Sequence, residues 1–450
     1  MPKITTHNLR YSSLEVENLV TCFAASLMQL NFDRKKNIAF LLDISLNSVV
    51  LVLAAVRLGL KVAFCSSREP DLVTNNWLLD LDINILIISG DYKILLNNNI
   101  IIYSLENIIN NNISEIPDQS QDFVSYIRTS GTTSEPKSAL ISFEAHRHSA
   151  LSVSSYFNFD SQQCWALSLP IYHVSGLSII FRALLQDAEI YIAAHHQALL
   201  TALSARAISH CSLVPAQLKR LLNENVDLSA LSALITGGDA LKLKDRERAL
   251  AQSCALYESY GMCETASMIA VKNSQYNKTT ILAHADIKIS EDHEILVKST
   301  SLFSGYWSQG ILTRNLNHDG YFPTGDKATL ESFSTLDLIH RKNNRIISGG
   351  ENIQAEEIEQ LLEQHEAILE CVVVAKADAE MGARPVAFIK WLNQPLGDHE
   401  LYNFLAPQLA SFKHPVSFLS YPLDTPESLK KPRRWLQNRL FISEKHIVEL

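Results

Sequence analysis

The chain has 450 residues, 47% hydrophobic and 19% charged, which is the balance of a folded globular protein and excludes a disordered or fibrous one. That length allows two or three domains, each able to bury its own core. With 39 basic against 48 acidic residues and a net charge of −9, there is no broad basic field for nucleic acid or anionic lipid, so any polyanion must be held locally.

The opening residues Met1–His7 lack the apolar core of a signal peptide. The apolar stretch Ser48–Leu60 is broken by Arg57 and is too short to span a bilayer. It reads as a buried helix stopped by Gly59, followed by a strand over Lys61–Phe64. Strands are expected at Ile85–Ile88, Glu189–Ile192, Ser212–Val214 and Ala233–Ile235, each beside an apolar helical pattern, and such alternation favours α/β layers with parallel sheet. The Asn-rich stretch Asn97–Asn112 is read as a solvated connection without function. After Leu330 the texture changes: a polar connection over Ile339–Ile353, an amphipathic helix over Ala355–Glu366, then strands over Cys371–Ala375 and Pro385–Ile389. The expected architecture is therefore α/β, with a large N-terminal domain of layered sheets and helices at 1–342 and a small mobile α+β domain at 343–450, hinged near Asn343. The seven cysteines are scattered and lack any CxxC spacing, so neither a zinc site nor a disulfide framework is expected and a reducing cytoplasm fits best.

Chemistry concentrates in a few segments. Thr129-Ser130-Gly131-Thr132-Thr133-Ser134-Glu135-Pro136-Lys137 follows an apolar pair and combines hydroxyls, a permissive glycine and one lysine. Backbone N–H groups, hydroxyls and an ammonium can together cradle phosphate oxygens. It lacks the GxxxxGK[ST] spacing of a Walker loop, and Ser/Thr/Gly runs read alone are usually polar surface turns. Tyr260-Gly261-Met262-Cys263-Glu264-Thr265 sets a flat ring and a carboxylate close together, suited to an adenine wall and a Mg2+ ligand, or to an ordinary loop with an exposed Glu. Phe322-Pro323-Thr324-Gly325-Asp326 places one carboxylate on a tight turn, where it could accept both hydroxyl protons of a ribose or simply close an Asx-turn. Arg341 could add a ribose or phosphate contact.

In this order and at these separations the segments resemble the adenylate-forming superfamily of acyl-CoA synthetases, luciferases and nonribosomal adenylation domains, over about residues 120–440. The resemblance implies ATP, Mg2+ and CoA as ligands, with a small-molecule carboxylic acid as partner. Thr129, Ser130, Gly131, Thr132, Thr133 and Lys137 would then bind phosphate, and Glu264 would hold the metal. Gly237, Gly238, Glu258, Ser259, Tyr260 and Gly261 would line the adenine, while Asp326 and Arg341 would face the ribose. The family's C-terminal lysine, which contacts the reacting carboxylate and phosphate, matches Lys430, with Lys431 its competitor; Leu429 stands where the family has glycine. Gly349 and Gly350 match the glycine-bearing face past which the thiol approaches. Ser134, Ser138 and Cys263 depart from the family pattern while preserving small size.

Leu169-Pro170-Ile171-Tyr172-His173-Val174-Ser175-Gly176 puts an aromatic residue and a histidine at a strand-to-helix turn, and His173 would border the acyl pocket or simply pack there. This segment, Gly349–Ile353, Gly382–Phe388 and the short overall length resemble the o-succinylbenzoate-CoA ligases of menaquinone synthesis. That narrower likeness implies activation of a succinyl carboxylate beside an aromatic one, whose partner would be sought near Gln217, Lys219 and Thr265. A broader aryl- or acyl-CoA ligase, a carrier-loading adenylation enzyme and a noncatalytic relative remain as alternatives, and a homo-oligomer is left open.

Overall fold

The computed structural model describes residues 1–30, 36–90, 92–96, 100–108, 122–129, 137–238, 241, 243–332, 335–341, 345–422, 433, 435–437 and 439–440, with the backbone alone at 243, 327, 329–332, 335–341 and 345. It divides into two compact units. Of the described residues, the first comprises those within 1–67, 75–129 and 137–340, and the second those within 341–450 together with Arg68–Thr74.

Two large sheets build the first unit. One runs, in spatial order, Lys278–Ile281, Ser267–Asn273, Leu256–Met262, Ala233–Thr236, His210–Leu213, Cys164–Leu167, Glu189–Ile192, Lys3–Thr5 and Arg10–Tyr11. Its strands from Leu256–Met262 through Lys3–Thr5 are parallel, as the helix–strand alternation requires. The other runs Ile311–Thr313, Gly305–Ser308, Lys137–Ser142, Val124–Thr129, Lys61–Cys65, Asn37–Leu41, Ile85–Ile88 and Ile101–Ser104. Between them the helices Phe143–Phe157 and Val174–Gln186 bury residues from both faces in one core, where Phe123, Phe143 and His146 all pack on Phe181. A smaller sheet orders Ala285–Ile289, Glu294–Ser299, Phe322–Ser332 and Thr335–Arg341.

Local rules account for most boundaries. The Leu46–Leu58 helix ends where Gly59 takes φ 65°, the left-handed cap that glycine adopts without strain. The strand expected over Ser212–Val214 instead spans His210–Leu213. Pro215 opens the next helix, and the Gln217 side chain accepts the Val214 N–H at 3.0 Å, so Val214 caps that helix and leaves the sheet. Within the Asn-rich stretch, Ile101–Ser104 forms an edge strand parallel to Ile85–Ile88, which corrects the reading of a plain connection. Its β-branched residues dominate there over their Asn neighbours.

The second unit carries the strands Arg345–Ser348, Glu351–Gln354, Ile368–Asp378, Gly382–Trp391 and Phe418–Ser420, packed on the helices Ala355–Leu362 and Asp398–Leu405. The first of these helices stops at Leu362, one turn short of the expected end. Glu363 then turns its carboxylate onto the Cys371 N–H at 2.9 Å. The hinge position Asn343 lies outside the described residues.

At the start of the Val174–Gln186 helix, a Cβ on Gly176 would lie 2.1 Å from the Pro170 carbonyl oxygen and 2.5 Å from that of Leu169. Both obstacles are backbone, so neither can rotate away. Gly176→Ala is therefore expected to cost about 3 kcal/mol, read as a lower urea midpoint at unchanged m-value. An unchanged midpoint would show that this turn is free to shift.

Candidate active site

The hydroxyl-rich segment begins and ends on two paired strands. Val124–Thr129 and Lys137–Ser142 pair antiparallel with Thr129 opposite Lys137, and the Thr129 hydroxyl donates to the Lys137 carbonyl at 3.3 Å. Ser130, Gly131, Thr132 and Thr133 lie outside the described residues. The Lys137 ammonium sits 4.9 Å from the ring centroid of Tyr306, whose own strand pairs with the other edge of Lys137–Ser142.

Glu264 arrives from the opposite sheet. The strand Leu256–Met262 shifts register between Tyr260 and Gly261 against Ser267–Asn273, because a side chain at Gly261 would meet the Ser267 carbonyl oxygen at 2.1 Å. A short turn over Cys263–Thr265 follows, with Ala266 and Ser267 at φ 51° and 122°. Such values are costly for residues with a Cβ, and they aim the turn inward. Glu264 is 9% exposed, and its Oε1 accepts the Tyr306 hydroxyl proton at 2.6 Å. Burial and then the Glu264 charge raise the Tyr306 pKa, so this hydroxyl remains a donor at ordinary pH.

A second carboxylate is held in the same manner. Tyr260 donates its hydroxyl proton to Asp326 Oδ2 at 3.1 Å, and both side chains are buried. Asp326 lies within the strand Phe322–Ser332, which corrects the expected tight turn: the register against Glu294–Ser299 shifts there, Gly325 takes φ 74° and its N–H donates to Glu294 Oε1 at 2.8 Å. The Thr324 hydroxyl accepts the Asp326 N–H at 3.1 Å and donates to the Ile295 carbonyl at 2.9 Å. Beside Tyr260, Gly237 leaves the room that the Ser259 hydroxyl fills, since a Cβ there would lie 2.3 Å from Ser259 Oγ. Gly238 follows at φ 82°. The Glu258 carboxylate is gripped by Arg246 at 2.9 and 2.7 Å and by the Ser274 hydroxyl at 2.9 Å, which engages both of its oxygens with the protein.

The structure thus joins Thr129, Lys137 and Glu264 through Tyr306, joins Tyr260 to Asp326, and sets Gly237 against Ser259. Arg341 ends the strand Thr335–Arg341, and its side chain is outside the described atoms. His173 is the first residue before the Val174–Gln186 helix, with its ring 4.6 Å from that of Tyr172. Gly349 and Gly350 belong to the second unit, where they form a two-residue hairpin turn at φ 59° and 88° between Ser348 and Glu351. Lys430 and Lys431 lie outside the described residues.

Sequence reasoning missed two residues. Tyr306 had as its signal only a Gly-Tyr-Trp run on a short strand. Arg182 is a single cation inside the apolar helix Val174–Gln186, 1% exposed. Its Nη2 donates to the hydroxyls of Ser178 at 2.9 Å and Ser267 at 3.0 Å, and its guanidinium carbon lies 4.6 Å from the Trp165 ring centroid. Nε has no hydrogen-bond partner and no carboxylate pairs with the group among the described residues. Burial lowers its pKa to about 9, so the charge persists at neutral pH. Of the groups first considered as partners for a second carboxylate, Gln217 and Thr265 are engaged by the protein itself. The Gln217 amide bonds Val214 N–H and the Ser168 carbonyl, and the Thr265 hydroxyl bonds the Ser267 carbonyl at 2.6 Å.

Glu264 is the described residue suited to a divalent cation. Among the described residues no group of three His, Cys, Asp or Glu side chains is gathered for a metal. One buried carboxylate fits Mg2+, which takes one or two carboxylates and fills its other positions with phosphate and water.

Residues 4–307 match the AMP-binding enzyme family, and residues 357–423 match the AMP-binding enzyme C-terminal domain. The chain belongs to this family. It is 35% identical over 322 residues to a 2-succinylbenzoate–CoA ligase of Salmonella typhimurium, covering 71% of this chain and 69% of that one. A 2-succinylbenzoate–CoA ligase of Staphylococcus epidermidis matches over 429 residues at 28% identity, 92% of this chain and 90% of that one. In fold the chain is similar, with a TM-score of 0.87, to a double mutant of o-succinylbenzoate CoA synthetase from Bacillus subtilis bound with its product analogue OSB-NCoA. That likeness covers 97% of this chain and 95% of that one at 23% identity, and it concerns the fold alone. The AMP-binding match contains Thr129, Lys137, Glu264 and Tyr306, whereas Asp326 follows it.

The Tyr260–Asp326 contact can be tested directly. Tyr260→Phe removes one donor from a buried carboxylate and is expected to cost about 2 kcal/mol of stability with unchanged far-UV circular dichroism. A wild-type denaturation midpoint would show that Asp326 does not depend on that hydroxyl.

Proposed function

We propose that the protein is an AMP-forming acid–thiol ligase that converts o-succinylbenzoate, ATP and CoA into o-succinylbenzoyl-CoA, AMP and pyrophosphate, a step of menaquinone synthesis. The observation that carries the reading is the fully buried Arg182 guanidinium, tied through Ser267 to the turn that presents Glu264. A buried cation with no carboxylate partner among the described residues is costly on its own and suits a substrate with a second negative charge. The relatives named as 2-succinylbenzoate–CoA ligases support the same acid.

In the first half-reaction an oxygen of the succinyl carboxylate attacks the α-phosphorus of ATP. The bond to the bridging oxygen breaks, and pyrophosphate leaves with that electron pair. Two anions must approach, so positive charge and N–H donors must converge on the phosphates. Thr129 and Lys137, with the intervening Ser130, Gly131, Thr132 and Thr133, are assigned to the phosphates, and Tyr260 and Gly261 with the backbone of Gly237, Gly238, Glu258 and Ser259 to the adenine. Asp326 and Arg341 are assigned to the ribose. Mg2+, held through Glu264, would neutralise phosphate charge in the triphosphate and in the departing pyrophosphate. Lys430 is assigned to the reacting carboxylate, with Lys431 as its competitor.

In the second half-reaction the CoA sulfur attacks the acyl carbonyl carbon, the C–O bond to the phosphate breaks, and AMP leaves. Exclusion of water favours thioester over hydrolysis. Gly349 and Gly350 are assigned to the thiol path because a side chain would narrow it. His173 is assigned to the acyl pocket, and the functional boundary between the body and its moving C-terminal domain is placed at 342/343. No helix of the described residues is long and apolar enough to cross a membrane. The seven cysteines are free, which supports a reducing, cytoplasmic setting.

Pyrophosphate release measured with ATP, Mg2+, CoA and a panel of o-succinylbenzoate, benzoate, fatty acids and amino acids is expected to show preference for o-succinylbenzoate. Preference for another acid would overturn the substrate, and silence with every acid alongside intact ATP binding would overturn the ligase reading. The Arg182 assignment has its own test, with 3-benzoylpropionate, which keeps the succinyl carboxylate and lacks the one on the ring. The wild-type enzyme should favour the diacid in kcat/KM by about a hundredfold or more, and Arg182→Gln should collapse that ratio toward one. An unchanged ratio would place the ring carboxylate elsewhere.

A further inference from the structure

Lys137 and Glu264 are opposite charges from opposite sheets, and one side chain stands at both. Tyr306 presents its ring to the Lys137 ammonium at 4.9 Å and its hydroxyl to Glu264 Oε1 at 2.6 Å. Among the described residues no carboxylate pairs with Lys137. A direct ion pair in this half-buried place would neutralise both groups and tie up the oxygen that a metal needs.

The segment carrying Tyr306 is itself held rigidly against Glu264. The Phe303 N–H donates to the Glu264 carbonyl at 2.8 Å, and the Ser301 hydroxyl donates to the Thr265 carbonyl at 2.8 Å. The Phe303 ring meets Tyr306 edge-on at 4.8 Å and Phe322 at 5.3 Å. Gly305 fits because a Cβ there would lie 2.6 Å from the Thr313 carbonyl oxygen. Tyr306 then pairs with Ala139, two residues from Lys137 on the neighbouring strand. This six-residue stretch thereby contacts both the backbone and the side chain of Glu264.

We propose that Tyr306 is a positioning residue that holds Glu264 in the orientation for a divalent cation and keeps it from collapsing onto Lys137. This rests on the reading of Glu264 as the magnesium ligand. Donation to Oε1 fixes the rotation of the Glu264 carboxylate, as partners behind metal ligands commonly do. The cation–π contact keeps the ammonium available to phosphate while its charge is partly satisfied.

The test measures binding with no turnover. Mn2+ affinity is followed by electron paramagnetic resonance in the presence of α,β-methylene ATP, whose α-phosphorus cannot release its leaving group, and AMP affinity is measured without metal by calorimetry. Tyr306→Phe keeps the ring and loses the donor, so Mn2+ affinity is expected to fall about tenfold to a hundredfold while AMP affinity is unchanged. Unchanged Mn2+ affinity, or equal loss of Mn2+ and AMP binding, overturns the proposal. Glu264→Gln separates the two layers of inference. If it leaves Mn2+ affinity intact, the metal assignment itself fails and the role of Tyr306 with it. If it abolishes Mn2+ binding while Tyr306→Phe does not weaken it, only the positioning role fails.

Discussion

Charges kept away from water and satisfied by hydroxyl groups organise this protein's first unit. Tyr306 donates to Glu264, Tyr260 donates to Asp326, and Arg182 donates to Ser178 and Ser267. A hydroxyl removes part of the desolvation cost of a buried ion without cancelling its charge. An opposite charge would stabilise the fold more cheaply, yet it would leave nothing for a ligand to bind. The contrast with Glu258 is informative. That residue lies six positions before Glu264, is paired bidentately by Arg246, and serves the framework.

Holding such groups in place requires a backbone that cannot relax. The turn after Glu264 passes through two residues at positive φ, and Gly237 and Gly261 bring neighbouring segments closer than any side chain would permit. The cost of that strain is met by the surrounding core, in which two sheets and the two helices between them share one apolar cluster. The site lies where strands of the two sheets approach, one presenting Lys137 and Tyr306 and the other presenting Glu264. Movement of either sheet relative to the other would change the separation of ammonium and carboxylate, which makes the Phe303–Tyr306 stretch the natural place to lock them together.

The fold was readable wherever local rules decide. Gly59 after an apolar helix, the run Ile85–Ile88 and the proline before Ala216 each carry a physical signal within a few residues. Ile101–Ser104 escaped because its Asn-rich surroundings hide a four-residue edge strand whose partner lies elsewhere in the chain. Asp326 was expected on a tight turn and instead lies in a strand whose register shifts, and its contact with Tyr260 spans 66 positions and could not be read from spacing. Tyr306 and Arg182 look unremarkable in one dimension, an aromatic on a short strand and a cation in an apolar helix, and only burial and partners give them meaning.

Composition, periodicity and a few short segments therefore determined the α/β class, the order of the elements and the chemical type of the site, because those properties follow from residues adjacent in the chain. Tertiary structure decided which charges stay apart. Whether Lys137 meets Glu264 directly or across the Tyr306 ring depends on strand pairing and sheet packing, which are cooperative properties of distant segments. The same holds for Arg182: its charge is written in the sequence, but the absence of a carboxylate partner among the described residues emerges only once the helix is packed.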